Sequence, residues 1–511
     1  MVRTVYSAAT HGIDGFIVVV ETNLEGFLPG YATVGLPDNA VKESRERVLA
    51  AIKNSGFIFP QKRITVNLAP ADVRKEGSSY DLPIALGILA TSGQMDSDSL
   101  DGHVVLGELS LEGDIRPIRG ALSLALAAAA NGYKSIMVPE VNANEAAMAP
   151  GIDVYGVKTL TQVVDFINGN EPISPTRINT DQLFSQACRY PLDLKEVKGQ
   201  DAAKRALEIA AAGSHNLIMI GPPGSGKTML AKRFPTILPQ LTLEEALETT
   251  KIHSVAGHLP PEQPLLATRP YRSPHHTISD AGLIGGGAYP RPGEVSLAHH
   301  GVLFLDELPE FKKSVLEVMR QPMEDARVTI SRAQISTTYP ARFMLIAAMN
   351  PCPCGYFGDP NNECTCTPMT VQRYRAKISG PLMDRIDMHI DVPAVKFEEL
   401  ASLSEGETSE VVRKRVQQAR EVQLKRFKGV KGVYANAHMT SGELEEHCRL
   451  DSDAKNLVRT AIDRLGLSAR AYDRILKVSR TIADLEGASD IQPAHVAEAI
   501  QYRSLDRETI M

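Results

Sequence analysis

The chain of 511 residues has no tryptophan, only six cysteines and no long apolar run. The absence of tryptophan excludes nothing by itself. No apolar run approaches the roughly 20 residues that a membrane-spanning helix requires, and Asp14 and Glu21 interrupt the short apolar run near the start. We therefore expect no signal peptide, no membrane anchor and a cytoplasmic location.

The chain also lacks an excess of positive charge, because its formal net charge is -6. This balance argues against coating nucleic acid through overall charge, although a local group of Lys and Arg side chains can still bind phosphates. Hydrophobic residues make up 43% of the sequence, which is ordinary and sufficient for several cores. The length predicts about three domains.

The pattern of apolar and polar residues divides the sequence into four regions. Residues 1–170 alternate short β-type runs, such as Ile64–Leu68, with helical stretches, one of which is predicted to begin after Asp38 as its N-cap. This alternation predicts an α/β domain. Residues 171–189 are polar and contain proline, which is typical of a linker. Residues 190–395 alternate strands and helices again, and residues 396–511 are mainly helical and polar. The predicted fold class is therefore α/β with several domains.

The stretch "GPPGSGKT" fits the phosphate-loop pattern G-x-x-x-x-G-K-[ST]. It follows the apolar run "NLIMI" and precedes "TMLAKRF", so that strand, loop and helix occur in the required order. Backbone N–H groups would hold the phosphates of ATP, Lys227 would reach the β- and γ-phosphates, and Thr228 would bind Mg²⁺. The residues of this predicted nucleotide site are Gly221, Pro222, Pro223, Gly224, Ser225, Gly226, Lys227 and Thr228.

A second apolar strand, predicted for Val302–Leu305, ends in two acids. Downstream of a phosphate loop, Asp306 is expected to hold Mg²⁺ directly or through water, and Glu307 to polarise the attacking water. A third apolar stretch, "RFMLIAAMN", ends in Asn350. Together these runs predict an ATPase.

This layout resembles that of the AAA+ ATPases. The resemblance implies that Asn350 is the sensor 1 residue beside the γ-phosphate, Arg385 in "GPLMDRID" an arginine finger, and Arg470 in "LSARAYDRILKVSRTIADL" sensor 2. Positioned positive charge accelerates phosphoryl transfer. A finger supplied across a subunit boundary requires an oligomer, which in this class is typically a homo-hexameric ring. The alternative for each arginine is a surface salt bridge.

The run "RPYRSPHHTISDAGLIGGGAYPRPGEVSLAHHGVLFLDELPEF" narrows the resemblance to the magnesium-chelatase-like AAA+ proteins of the YifB/ComM family. The resemblance extends over essentially the whole chain. For ComM members it implies a DNA branch-migration motor in natural transformation. We assign no chemistry to Tyr271, Arg272, His275 and His276 within this run, because no third metal ligand accompanies the two histidines.

The stretch "ARVTISRAQISTTYPARF" alternates in polarity on both sides of a short turn, which predicts a β-hairpin. It resembles the pre-sensor-1 hairpin of the AAA+ clade that includes the replicative MCM helicases, where a basic tip residue faces the pore. Arg332 matches that residue, so the resemblance implies that Arg332 contacts the DNA backbone. In a hexamer, one arginine per subunit would become a ring of positive charge. The alternative is an ordinary solvent-facing arginine.

Four cysteines form two C-x-C pairs within "NPCPCGYFGDPNNECTCTP", and they are Cys352, Cys354, Cys364 and Cys366. Four thiolates can close a tetrahedral structural Zn²⁺ site, although C-x-C is tighter than the usual C-x₂₋₄-C spacing. The alternatives are an iron–sulfur cluster and free thiols in a loop. Cys188 and Cys448 are isolated and are interpreted as packing or surface residues.

The segments "KEGSSYDLPIALGILA" and "GELSLEGDIRPIRGALSLALAAA" resemble the Lon-protease-like fold, of the ribosomal S5 domain 2-like type. Ser79 matches the nucleophile of Lon proteases, but the position of the activating lysine falls at or beside Leu122, and "RGALSLAL" contains no lysine. A serine hydroxyl without an adjacent base is a weak nucleophile. We therefore interpret this domain as a non-proteolytic scaffold that binds DNA or stabilises a ring.

The C-terminal region is expected to form the helical AAA+ lid. The basic stretch "EVVRKRVQQAREVQLKRFKGVKG" is either a solvated helix face or part of a nucleic-acid path. The stretch "DIQPAHVAEAIQYR" predicts a closing helix with Asp490 as its cap and Pro493 in its first turn. Arg470 would report the state of the nucleotide to this lid.

The leading hypothesis is a hexameric AAA+ motor that translocates on single-stranded or branched DNA. A metal-insertion ATPase like the magnesium-chelatase small subunit is the second hypothesis, and tetrapyrrole-linked ATPase activity would distinguish it. A protein-remodelling ATPase is the third, and stimulation by unfolded protein would support it.

Overall fold

The computed structural model describes residues 2–26, 28–75, 77–96, 98–180, 183–184, 190–260, 262–287, 290–331, 336–360, 362–395, 406–430, 432–466 and 468–503. The chain divides into two compact units. The first comprises Met1–Gln186 and Leu243–Ala267, and the second comprises Ala187–Thr242 and Thr268–Met511.

The regular elements alternate between strands and helices along most of the chain. The strands of the described residues are β1 (Val2–His11), β2 (Asp14–Glu25), β3 (Gly30–Val34), β4 (Arg63–Ala69), β5 (His103–Val105), β6 (Glu108–Leu109), β7 (Ile115–Arg116), β8 (Ser135–Pro139), β9 (Asp153–Val157), β10 (Leu217–Ile220), β11 (Tyr271–Arg272), β12 (Gly285–Gly286), β13 (Arg291–Pro292), β14 (Val302–Leu305), β15 (Arg327–Ser331), β16 (Ser336–Pro340), β17 (Met344–Met349) and β18 (Met388–Asp391). The α-helices are α1 (Asn39–Asn54), α2 (Asp81–Thr91), α3 (Ala121–Ala130), α4 (Glu140–Ala146), α5 (Leu160–Ile167), α6 (Asp201–Gly213), α7 (Lys227–Arg233), α8 (Leu243–Ala256), α9 (Asp280–Ile284), α10 (Glu294–Leu297), α11 (Lys313–Val318), α12 (Arg320–Asp325), α13 (Pro368–Arg375), α14 (Gly380–Met383), α15 (Ser409–Arg426), α16 (Ser441–His447), α17 (Ser452–Leu465), α18 (Ala469–Leu485) and α19 (Pro493–Gln501).

The first unit is built on a seven-stranded sheet with the order β3-β4-β2-β1-β5-β8-β9. β2 runs antiparallel to β1 and β4, whereas the other neighbouring strands are parallel. Side chains of a strand point alternately to its two faces. In β4 this alternation buries Ile64, Val66 and Leu68, which share one apolar core with the buried helix α2.

Helix α8 lies within the predicted range 190–395 but packs with the first unit. The hydroxyl group of Ser254 donates a hydrogen bond to Glu145 and accepts one from the N–H group of Gly120, directly before α3. Burial raises the pKa of Glu145, although these hydrogen bonds oppose the shift. The first unit is therefore completed by a segment distant in sequence.

The second unit contains a five-stranded sheet with the order β11-β14-β17-β10-β18, and every neighbouring pair is parallel. β10 and β17 are buried throughout, as expected for parallel strands covered on both faces. Ligands of such sheets bind beyond the carboxyl ends of the strands. Gly221, Asp306 and Asn350 directly follow β10, β14 and β17, so the sheet places them at one edge.

The helices after residue 406 share an apolar core with this sheet. In α18, Ile475, Val478 and Ile482 are buried at helical spacing. The prediction that Asp490 caps the last helix is wrong. Gln492 and the side chain of His495 exchange the capping hydrogen bonds of α19, which satisfies two donors that the helix leaves open. Among the described residues, no helix is both long enough and apolar enough to cross a membrane.

Candidate active site

The phosphate-loop sequence joins the buried strand β10 to helix α7, which begins at Lys227. Gly221 requires the absence of a side chain, because a Cβ atom there would lie 2.0 Å from the carbonyl oxygen of Val392. The loop therefore passes closely over the carboxyl end of the neighbouring strand β18. This contact fixes the start of the loop on the sheet.

Lys227 is buried inside the loop and engages several acceptors. Its Nζ atom lies 2.7 Å from the carbonyl oxygen of Gly221, 2.9 Å from that of Pro222 and 3.3 Å from Oδ1 of Asn350. Burial lowers the pKa of Lys227, and nearby Asp306 opposes the shift. An ammonium group enclosed by neutral carbonyl groups has capacity for anionic partners, so this pocket fits the phosphates of ATP.

Thr228 and Asp306 form the second contact of the site. The hydroxyl group of Thr228 donates to Oδ2 of Asp306 at 2.7 Å, and the N–H group of Glu307 donates to Oδ1 at 3.0 Å. Mg²⁺ prefers oxygen ligands, and a hydroxyl group beside a carboxylate offers two. The structure thus brings together two predicted ligands that lie 78 residues apart in the sequence.

Glu307 has a backbone φ of 53°, in the left-handed region that residues other than glycine rarely adopt. Its side chain is 59% exposed and lies 3.5 Å from Nδ1 of His276. Strained backbone of this kind concentrates at functional sites. Sequence reasoning gave His276 no role, and the structure places it beside the predicted water-polarising acid.

Gln200 is a second residue that sequence reasoning missed. Its Nε2 atom donates to the carbonyl oxygen of Ser225 in the phosphate loop at 2.5 Å. Its Oε1 atom is buried and has no hydrogen-bond partner among the described residues. Its backbone φ is 56°, directly before α6. The only sequence signal is the "GQ" pair at the start of a helical pattern.

The two predicted arginines lie on a common acid. Arg385 pairs with Glu324 at 2.5 Å and has a side chain that is 6% exposed. Arg470 is 3.8 Å from the same carboxylate and 58% exposed. The structure thus assembles four of the predicted residues around the phosphate loop, namely Lys227, Thr228, Asp306 and Asn350. The two predicted arginines contact Glu324 instead.

The predicted β-hairpin is confirmed. β15 and β16 pair antiparallel from Arg327 opposite Pro340 to Ser331 opposite Ser336. Hydroxyl groups form cross-strand pairs on the exposed face, with Thr329 and Thr338 at 3.0 Å. Arg332, the predicted DNA contact, lies outside the described residues.

The four clustered cysteines have the arrangement of a metal site. Their Sγ atoms all lie within 4.8 Å of one another. Three of the Sγ–Sγ distances are 3.3 Å for Cys352–Cys354, 3.7 Å for Cys352–Cys364 and 3.6 Å for Cys354–Cys364. Four sulfurs bound to Zn²⁺ at 2.3 Å would be separated by about 3.8 Å. Backbone hydrogen bonding from Tyr356, with further hydrogen bonds, lowers the pKa of Cys354 to about 5, which favours the thiolate that binds metals. The donor set therefore fits a Zn²⁺ ion.

The loop that carries these cysteines touches the phosphate loop. A Cβ atom added at Gly355 would lie 2.5 Å from Cδ of Pro223. The loop begins at Pro351, directly after Asn350, and the guanidinium group of Arg375 donates to the carbonyl oxygen of Pro351 at 3.2 Å. The cysteine loop thus adjoins the nucleotide site both through space and along the chain.

The basic helix α15 uses its arginines within the chain. Arg415 pairs with Glu208 and Glu407, and Arg426 pairs with Asp484. These contacts favour a structural role over a nucleic-acid path for these two arginines.

In the first unit, Leu122 is fully buried, and its N–H group donates to Glu145. The position that the resemblance assigns to a catalytic lysine therefore offers no side-chain base to Ser79.

A parallel sheet that presents a phosphate loop, an acidic pair and a polar sensor on successive inner strands is the arrangement of an AAA+ ATPase. The comparisons with known proteins identify the branch. The profile described as "Magnesium chelatase, subunit ChlI" matches residues 193–400, that described as "Subunit ChlI of Mg-chelatase" matches residues 20–142, and that of the ChlI C-terminal region matches residues 406–503.

Two relatives resemble the chain over nearly their whole length. The competence protein ComM of Haemophilus influenzae is 45% identical over 506 residues, or 98% of this chain and 97% of that protein. The protein YifB of Escherichia coli is 44% identical over 504 residues, with the same coverage. A magnesium-chelatase 67 kDa subunit of Chlorobaculum parvum is 28% identical over 160 residues, 30% of this chain and 23% of that protein. The chain belongs to the YifB/ComM family of magnesium-chelatase-like AAA+ proteins.

Proposed function

We propose that this protein is an ATP-driven motor that binds and translocates on DNA, and that it drives branch migration during recombination of incoming DNA. The observation that carries the proposal is the full-length similarity to a protein named for competence. A second support is the β15–β16 hairpin, which sits in the chain between the acidic strand β14 and the sensor strand β17. A motor that acts on this DNA would work in the cytoplasm.

One subunit would supply the groups that bind ATP with Mg²⁺ and that activate the attacking water. ATP would supply the phosphoanhydride bond, and Mg²⁺ would supply positive charge that offsets the negative charge of the phosphates. Lys227 would release its loop carbonyl groups and neutralise the phosphate oxygens, while Thr228 and Asp306 would hold the metal. Glu307 would orient a water molecule for attack and accept its proton. Asn350 would sense the γ-phosphate, and its contact with Lys227 supports this role.

The motor would act as a homo-hexamer. Arg385 would complete the active site of a neighbouring subunit as an arginine finger, and Arg470 would act in its own subunit from the start of α18. The helices after residue 406 would form the lid that follows the nucleotide state. The first unit, which we interpret as Lon-like and non-proteolytic, would stabilise the ring or contact DNA.

ATPase measurements test the motor. Rates are compared without DNA and with single-stranded DNA, duplex and a branched junction, and Lys227→Ala serves as the inactive control. Stimulation by single-stranded or branched DNA that Arg332→Ala abolishes is the expected result. If no DNA changes the rate while Lys227→Ala still abolishes it, the ATPase remains and the DNA motor is refuted.

We further propose a structural Zn²⁺ ion at Cys352, Cys354, Cys364 and Cys366, for which the sulfur distances are the support. Elemental analysis of the purified protein should find about one zinc per chain. Cys364→Ser should lower that content, whereas Cys448→Ser, outside the cluster, should not. Iron in place of zinc would refute the assignment.

Metal insertion into a tetrapyrrole is the second candidate function, favoured by the profile matches to a magnesium-chelatase subunit. Stimulation of the ATPase by a porphyrin, but not by DNA, would support it.

A further inference from the structure

Glu324 lies between the two arginines that the sequence associates with ATP hydrolysis. Its Oε1 atom is 2.5 Å from Nη2 of Arg385 and 3.8 Å from Nη2 of Arg470. The carboxylate itself is on the surface, with a side chain that is 47% exposed. One acid therefore binds one arginine tightly and lies close to a second.

Arg385 is enclosed by its own subunit in this position. Its side chain is almost completely buried, and Nη1 donates to the carbonyl oxygen of Pro381 at 2.5 Å. Its Nε atom is buried without a hydrogen-bond partner among the described residues. An arginine finger has to contact the phosphates bound by its neighbour. The pair with Glu324 thus represents a withdrawn finger.

Glu324 is also connected to the base of the β-hairpin. It lies in the last turn of α12, and the chain turns from this helix into β15 at Ala326, where φ is 53°. The N–H group of Ala341, just beyond β16, donates to the carbonyl oxygen of Ala326 at 2.8 Å. Val328 and Ile330 anchor the inner face of the hairpin in the core. A displacement of the hairpin base therefore displaces the carboxylate.

We propose that Glu324 is a positioning residue that withholds Arg385 and Arg470 from ATP until DNA engages the hairpin. This inference rests on the proposed motor function and specifies how DNA stimulates hydrolysis. A force on the hairpin draws the carboxylate away from Arg385, which is then available across the subunit boundary. The same displacement frees Arg470, whose exposed side chain needs no further opening.

The pair has the properties of a reversible contact. Separating two fully buried charges is costly, whereas the half-exposed carboxylate of Glu324 regains water when it leaves Arg385. The bound and released positions of Glu324 therefore differ little in free energy, as an element with two populated states requires.

The test uses Glu324→Gln in the full chain, which keeps the shape of the side chain and removes its charge. We expect the ATPase rate without DNA to rise roughly fivefold. This factor corresponds to the upper end of the free energies that partly exposed ion pairs contribute. The DNA-stimulated rate stays at the wild-type level, so the stimulation ratio falls, through kcat rather than KM for ATP. The matched control is Glu317→Gln, which removes an acid paired with Arg320 at 2.6 Å beside the same helix and should change neither rate.

A second variant covers a failure of the first to fold, which urea denaturation would show. Glu324→Asp keeps the charge but shortens the side chain, and it should raise the DNA-free rate roughly twofold. If DNA stimulates the wild type and a folded variant shows an unchanged stimulation ratio or a lower DNA-free rate, the inference is overturned and the motor remains. If no DNA stimulates the wild type, the motor function fails, while a faster Glu324→Gln enzyme would still show that Glu324 restrains the arginines.

Discussion

Gly355→Ala should impair ATP hydrolysis from a position outside the phosphate loop. The new Cβ atom would lie 2.5 Å from Cδ and 2.7 Å from Cγ of Pro223, whereas carbon atoms in contact prefer about 3.5–4.0 Å. One loop must therefore move by about 1 Å. The four cysteines hold the cysteine loop in place when metal is bound, so the phosphate loop is the one that moves. A misplacement of about 1 Å can reduce catalysis by about 100-fold, and we expect kcat/KM for ATP to fall by roughly 10- to 100-fold.

Gly358→Ala separates this contact from backbone strain. Both glycines have positive φ angles, 90° at Gly355 and 77° at Gly358, but a Cβ atom at Gly358 would meet nothing within 4 Å. Each variant therefore carries a similar conformational cost in the same loop, and only one strikes Pro223. Steady-state ATPase kinetics and binding of a fluorescent ATP analogue compare them. Equal kinetics and equal affinity in the two variants would refute the proposed connection between the loops.

Three further substitutions test other parts of the second unit. Glu307→Gln should lower kcat about 100-fold or more by removing the proton acceptor while nucleotide binding persists, and combined rate and binding assays check this. Asp387 is 1% exposed and lies 2.8 Å from Arg474; burial opposes its ionisation, but Arg474 and His215 hold its pKa well below the usual value. Asp387→Asn should therefore cost about 3 kcal/mol in urea unfolding at pH 7, and less as pH falls below about 4. Burial, reinforced by Arg474, lowers the pKa of Lys477 to about 8. The unfolded chain therefore binds more protons than the folded protein between about pH 8 and 10.5, and the free energy of unfolding rises with pH in that range. Lys477→Met should remove that rise and stabilise the protein at pH 7 by about 1–2 kcal/mol.

Local sequence patterns predicted the helices and strands whose formation depends on neighbouring residues. The predicted helix beginning after Asp38 is confirmed, because the carboxylate accepts a hydrogen bond from the N–H group of Val41 and satisfies a donor of the first turn. The strand predicted at Ile64–Leu68 is confirmed as part of β4. Thr228 and Asp306 could be paired from the sequence, since the ends of parallel strands meet at one edge.

The remaining features depend on contacts between distant residues. The position of Gln200 against Ser225 follows from a left-handed backbone turn that no residue type in the sequence demands. His276 meets Glu307 only because the loop after β11 returns to the site. Glu324 belongs to no sequence motif, and its role depends on the two arginines that the fold brings to it. A single carboxylate in a charged helix offers no such information beforehand.

Asn350 connects the nucleotide site with the cysteine loop, and this predicts that metal and nucleotide assist each other's binding. Its side chain accepts from Lys227, and the next residue, Pro351, opens the loop whose Gly355 packs on Pro223. A bound metal orders that loop in advance, so that less entropy is lost when the phosphate loop closes on ATP.

Coupling of this kind is reciprocal: the factor by which metal raises ATP affinity equals the factor by which ATP raises metal affinity. Competition with a chromogenic chelator, with and without a non-hydrolysable ATP analogue, measures the second factor, and nucleotide titration of the metal-depleted protein measures the first. Lys227→Ala should abolish the effect of nucleotide on metal affinity. Because Gly355 lies against Pro223, Gly355→Ala should change the coupling factor itself, whereas Gly358→Ala should leave it intact. A metal affinity that nucleotide does not alter would show that the contact transmits nothing.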